Sequence, residues 1–219
     1  MQLLNMGGIP PIFFALIFLF TSEAFAEPPQ APTTWRQAKF KKTVKQSEDF
    51  SCGAASISTL LTYDLESPTS EALILKTIKE SISEREWEKS KDFGFSLYDL
   101  KITAEKLGFL SEGFKIDFNT LTRSQYSLIV HLKKGEYQHF VVFRGYMNGQ
   151  IYLSDPNNGD VRLAPDLFLD EWTGYALAVL DKKNKKNLPA EQQNDFNNSK
   201  IQAIRNAITF EHPYWQGLR

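Results

Sequence analysis

Cys52 is the only cysteine among 219 residues, and it opens an apolar helical pattern in Gln46-Ser47-Glu48-Asp49-Phe50-Ser51-Cys52-Gly53-Ala54-Ala55. A single thiol has no internal disulfide partner, so use as a nucleophile is the first chemistry to consider. In the first turn of a helix it would face unpaired backbone N–H groups and the positive end of the dipole, both of which favour an anion. Gly53 beside it would let an extended peptide approach closely. Position alone leaves a second reading open, a small buried cysteine that fills the core.

A thiol nucleophile needs a base, and the chain offers His131, His139 and His212. His139 opens the run His139-Phe140-Val141-Val142-Phe143-Arg144-Gly145, which reads as a strand. A histidine at a strand start can lean over a helix N-terminus packed on the sheet and take the thiol proton. His131 sits inside Leu128-Ile129-Val130-His131-Leu132, where a hydrogen-bonded structural role is expected, and His212 is expected at the surface.

Asp155, at the end of the next strand, is the candidate to orient the imidazole. If Asn148-Gly149 formed a two-residue hairpin turn, Asp155 would lie opposite Val142 and point away from His139. A three-residue loop over residues 147–149, with Gly149 left-handed in a bulge, would set Asp155 opposite Val141 and on the His139 face. The catalytic reading therefore predicts the longer loop. Asp155 in Asp155-Pro156-Asn157-Asn158-Gly159 also suits a turn aspartate bonded to its own backbone. Gln46 completes the set: its amide could donate, with the Cys52 N–H, to the oxyanion formed when a thiolate attacks a carbonyl. An ordinary surface glutamine would look the same.

Three helices are expected to position these groups. Residues 51–64 carry Ala54, Ile57, Leu60 and Leu61 at helical spacing behind Ser51 as N-cap, with Pro68 beyond the stop. Residues 71–82 and 95–107 repeat the pattern, the latter ended by Gly108. Residues 84–92 are dense in both charges and read as a solvated surface. The period then changes: residues 126–132, 140–146, 150–153 and 175–180 are short β-branched or aromatic runs bounded by turn formers. Helices followed by an antiparallel sheet make an α+β fold.

Composition narrows the function. A net charge of -1 provides no broad basic face for nucleic acid. The histidines and Cys52 follow no standard zinc spacing, so neither a metal nor another cofactor is expected. Residues 12–20 are uninterrupted apolar chain followed by Ala24-Phe25-Ala26, which reads as a secretion signal occupying residues 1–26 and cut after Ala26. The missing Lys or Arg in residues 1–11 keeps an uncleaved anchor as the alternative, and either way membrane contact is expected only through this segment. Residues 27–43, rich in proline at the start, read as a linker, 44–181 as one domain, and 182–219 as a polar extension with a helix near 201–210.

Together these residues resemble the C39 peptidases, papain-like cysteine peptidases best known for cutting bacteriocin leaders after a Gly-Gly pair. The likeness runs through Gln46, the run from Phe50 to Ala55, Gly94-Phe95-Ser96-Leu97-Tyr98-Asp99-Leu100, Leu107-Gly108-Phe109, His139 to Val142, Asp155-Pro156, and Trp172-Thr173-Gly174. It implies a papain-like fold, with Cys52 as nucleophile, His139 as base, Asp155 as its partner and Gln46 as oxyanion donor. Ser51 stands where many transporter-fused relatives carry Asp, and no membrane-spanning or ATP-binding segment follows the peptidase-like region. The chain is thus similar to the stand-alone exported branch, whose members include the peptidase encoded with bacterial functional-amyloid secretion systems. That implies a periplasmic endopeptidase acting on extended polypeptides, with secretion or amyloid components as partners. The competing expectation is a non-catalytic peptide-binding chaperone or gate. Acyl transfer to an amine would use the same residues.

Overall fold

The computed structural model describes residue 34 and residues 38–124 and 126–181, all within one compact unit, Thr34–Arg219. The expected signal, the helix near 201–210 and His212 lie outside the described residues.

After helical residues 38–39, four helices precede the first strand among the described residues. In α1 (Cys52–Tyr63) every side from Cys52 to Leu61 is buried, which explains why its apolar contrast is weak although the helix is secure. α2 (Glu71–Lys79) begins at Ser70, whose side chain accepts from Leu73 N–H, and buries Ile74 and Ile78. α3 (Glu84–Phe93) occupies the stretch read as mere charged surface. A capping box between Ser83 and Glu86 starts it, Gly94 at φ 74° stops it, and only Ser90 is fully buried. Phe50, Trp87 and Phe95 pack edge-on or tilted with centroids 5.8–6.0 Å apart, so Trp87 anchors this helix beside the loop that leads to Cys52. α4 (Leu97–Lys106) starts in a second capping box, Ser96 with Asp99. The motif from Gly94 to Leu100 is therefore a helix stop followed by a helix start, not a chemical site.

The rest is β1 (Leu110–Lys115), α5 (Phe118–Thr122), β2 (Leu128–Lys134), β3 (Tyr137–Met147), β4 (Gln150–Asp155), β5 (Gly159–Leu163), α6 (Pro165–Leu169) and β6 (Trp172–Leu180). The strands form one antiparallel sheet in the order β1-β6-β2-β3-β4-β5. Both faces are covered. Ile129, Phe140, Val142, Leu177 and Val179 meet the helices, while Val130, Val141, Phe143, Leu153 and Ala176 join Phe168 on the other side. Burial on two faces is what makes the central strands near-continuous apolar runs.

The β3–β4 hairpin corrects the expected turn. Met147 pairs with Gln150, so the connection is the two-residue turn Asn148-Gly149, with both residues at positive φ, 52° and 74°. The register nevertheless shifts by one, because Phe143 pairs with Leu153 and Gly145 with Tyr152, leaving Arg144 as a bulged residue. Val142 then pairs with Ser154, which sets Asp155 across from Val141, on the side of His139. The expected register holds, but a bulge inside the strand produces it rather than a longer loop. Arg144 fixes the bulge: Nε donates to Ser154 Oγ at 2.9 Å, one terminal nitrogen binds the Asp64 carboxylate, and the other donates to the Lys42 carbonyl at 3.0 Å.

Candidate active site

Cys52 is the first residue of α1 and is 6% exposed. Ser51 occupies the N-cap position but makes no side-chain cap bond. Its hydroxyl instead donates to Glu71 Oε1 at 2.6 Å, with the Glu48 carbonyl 2.9 Å away. The first-turn N–H groups of α1 thus keep no side-chain acceptor, which leaves the positive end of the dipole beside the thiol. Contrary to the expectation from sequence, Gly53 does not open the helix to a substrate. A Cβ there would meet Leu100 Cδ2 at 2.9 Å and Phe140 Cδ2 at 3.3 Å, so the glycine lets the helix sit tightly on the core.

His139 is buried and lies two residues inside β3, not at its first position. Its Nε2 is 2.9 Å from Asp155 Oδ1, and Cys52 lies near enough to the same ring to stabilise its charged form. Burial opposes the imidazolium, yet the hydrogen bonds to Asp155 and Cys52 and the charges of both outweigh it, so the pKa rises from 6.5 to about 9. Burial likewise works against the Asp155 carboxylate, and the bonds from His139, Asn158 and the Asn157 N–H overcome it, holding its pKa below the usual value. Asp155 is at once the imidazole's partner and a turn aspartate. Oδ1 also accepts from Asn157 N–H at 2.8 Å and Asn158 N–H at 3.1 Å, and Oδ2 from Asn158 Nδ2 at 2.9 Å. The two readings of this residue were never exclusive: the turn bonds lock the carboxylate that faces the ring.

Gln46 is positioned by its backbone, whose N–H donates to the Pro156 carbonyl at 3.0 Å, next to Asp155. Its side-chain Nε2 donates to the carbonyls of Glu48 at 2.9 Å and Asp49 at 3.3 Å. Oε1 is buried without a hydrogen-bond partner, unlike every other buried side-chain nitrogen or oxygen among the described residues. The structure therefore brings Cys52, His139 and Asp155 together and holds the Gln46 amide on its own loop. Packing already begins upstream of residue 44, where Thr43 is buried and donates to Asp160 Oδ1 at 2.6 Å.

His131 is satisfied as expected, with Nδ1 3.0 Å from Thr173 Oγ1 and Nε2 3.2 Å from Gln138 Oε1. A cleft of about 850 Å³ runs from His139 and Asp155 over Leu153, Val161, Leu163 and Leu167, with Cys52 outside its lining. Tyr137, which sequence reasoning missed, also lines it. Its signal was only a place two residues before His139, on the same face of a strand.

A family model described as "Peptidase C39 family" matches residues 40–184. A Pseudomonas fluorescens protein named "Probable functional amyloid protease FapD" is 33% identical over 153 residues, covering 68% of this chain and 66% of that protein. The Pseudomonas aeruginosa protein of the same name is 28% identical over 186 residues, covering 83% and 81%. Among solved structures, the peptidase domain of Streptococcus ComA, a bi-functional ABC transporter, is 27% identical with a TM-score of 0.55, covering 64% of this chain and 98% of that domain.

Proposed function

The chain belongs to the peptidase C39 family of cysteine peptidases, and from that premise we propose an exported endopeptidase in which Cys52 is the nucleophile, His139 its proton partner, Asp155 the group that holds the imidazole, and Gln46 an oxyanion donor. The observation that carries this reading is the buried His139 imidazole held 2.9 Å from the Asp155 carboxylate, with Cys52 close enough to favour its charged form.

With the imidazole protonated at neutral pH, Cys52 attacks as the anion of an ion pair, and its sulfur bonds to the substrate carbonyl carbon. The oxyanion is met by the Cys52 N–H and by Gln46 Nε2, which gives up its longer bond to Asp49. Because Nε2 of His139 is committed to Asp155, Nδ1 carries the proton to the leaving amine as the C–N bond breaks. Water then cleaves the thioester and the ion pair is restored. His139 thus acts first as acid and afterwards as base.

The family resemblance supports cleavage after Gly-Gly, the apolar N-terminal segment supports a periplasmic location, and the names of the two Pseudomonas relatives support a substrate within amyloid secretion. Purified protein given peptides with Gly-Gly, and the same peptides with either glycine replaced by leucine, should cut only the first set. Equal cutting of both sets would overturn the specificity, and tight binding without cutting would point to a peptide-binding chaperone or gate.

Two further results are expected. His139 has a raised pKa, so its contribution to stability is full below 6.5 and lost as pH rises through about 9. The denaturation midpoint of the wild type should fall across that window, whereas kcat/KM should hold until pH approaches about 9 and fall above it, and His139→Gln should flatten the stability change. Gln46→Ala should slow acylation by roughly a hundredfold while iodoacetamide labels Cys52 at a near-normal rate, since alkylation forms no oxyanion. A wild-type acylation rate in Gln46→Ala would remove this residue from the oxyanion site.

A further inference from the structure

The imidazole of His139 has two nitrogens and three neighbours. Nε2 belongs to Asp155, so Nδ1 is left to the Cys52 thiol and to a second group, the hydroxyl of Tyr137, 3.4 Å away. The two residues lie on the same face of β3, with ring centroids 5.7 Å apart and planes inclined by 27°. Tyr137 is 55% exposed and lines the cleft together with His139.

We propose that Tyr137 is a further catalytic residue, whose hydroxyl holds the hydrolytic water against His139 Nδ1 when the acyl-enzyme is cleaved. Before acylation the sulfur anion is the natural partner of the Nδ1 proton. After acylation the sulfur is a neutral thioester and the proton has left with the amine, so Nδ1 presents a bare lone pair and has lost its partner. A separation of 3.4 Å is long for a direct bond, but a water in the cleft can bond to both the hydroxyl and Nδ1. The water oxygen attacks the thioester carbon, its proton passes to Nδ1, the C–S bond breaks, and the sulfur leaves as the thiolate beside the renewed imidazolium. The acid product departs and the charges return to the resting pair. Tyr137 transfers no proton. Burial, then the charges of Cys52, Asp155 and Asp49, raise its pKa above 10, so it remains a hydroxyl throughout.

The inference rests on the acyl-enzyme reading, and burst kinetics with an activated ester of an acylated glycine separate the two. The burst reports acylation of Cys52, and the steady state that follows reports its hydrolysis. Tyr137→Phe removes the hydroxyl and keeps the stacked ring on an exposed position, so the fold is not at stake. Its steady-state rate should fall about tenfold, the scale of one lost hydrogen bond, with burst amplitude, burst rate and iodoacetamide labelling within about twofold of wild type. Tyr137→Ala should lose at least as much in the steady state. A wild-type steady state in Tyr137→Phe, or an equal loss in burst rate and steady state, would overturn the proposal while leaving the acyl-enzyme intact. A wild-type enzyme with no burst and no acylated Cys52 by mass spectrometry would instead sink the acyl-enzyme reading itself, and this inference with it.

Discussion

Cys52→Ala is expected to abolish peptide hydrolysis, a loss on the order of 10⁶-fold, in a protein that still unfolds cooperatively. The sulfur is part of the core cluster beneath the helices, so its removal costs stability, but only about 1 kcal/mol for one small atom at the end of a helix where alanine is the best helix former. The two readings of a lone cysteine therefore part here. A cysteine kept only to fill space would leave activity within a few-fold after the substitution, whereas a nucleophile takes all of it. Thermal unfolding and peptide cleavage measured on one preparation decide the matter. Activity persisting in folded Cys52→Ala would move the chemistry to another residue.

What sequence could and could not show follows from where each element sits. The helices holding Cys52, Ile74 and Leu100 and the four inner strands were legible because burial imposes a period or an apolar run. The two strands that were missed, β1 and β5, are the two edges of the sheet. An edge strand is half exposed and admits Glu112 and Gly113, or Asp160 and Arg162, which erase the strand pattern. α3 escaped for the opposite reason: its caps stabilise it, and it needs little apolar contact beyond Trp87.

At the site, residue types were more legible than geometry. Asn148-Gly149 carries a true two-residue turn signal, and the register that turns Asp155 toward His139 comes instead from a bulge, which periodicity alone does not reveal. The clue was Arg144, a guanidinium directly after Phe140-Val141-Val142-Phe143 in a strand buried on both faces. Extruding it from the ladder lets it reach Asp64 at the end of α1, Ser154 beside Asp155, and the Lys42 carbonyl on the segment leading to Gln46. One bulged side chain ties β3, which carries His139, to the three segments that lead to or carry the other candidate residues. Tyr137 was invisible for a different reason, since an exposed aromatic becomes informative only once its distance to His139 is known.

His139→Ala should rival the loss of Cys52, lowering kcat/KM by roughly 10⁴-fold or more, while His131→Gln should keep activity within a few-fold. Both histidines lie on neighbouring strands and both rings are hydrogen-bonded, so sequence distance does not separate them. Their partners do. His131 is held by Thr173 and Gln138, two neutral groups, and burial lowers its pKa, so it is a neutral ring with both nitrogens occupied. His139 faces a carboxylate on one nitrogen and a thiol toward the other, and those contacts outweigh burial to keep it charged to about pH 9. Removing it leaves Asp155 as a buried carboxylate without its main partner and Cys52 without a proton acceptor, so iodoacetamide labelling at mildly acidic pH should fall along with cleavage. Asp155→Asn should act less severely, because the amide oxygen can still accept from Nε2 and hold the ring, although it no longer stabilises the imidazolium. That variant should therefore shift the alkaline limb of the rate profile below pH 9 before it lowers the rate at its optimum. If His131→Gln instead proved as damaging as His139→Ala in a folded protein, the proton partner would have been assigned to the wrong ring.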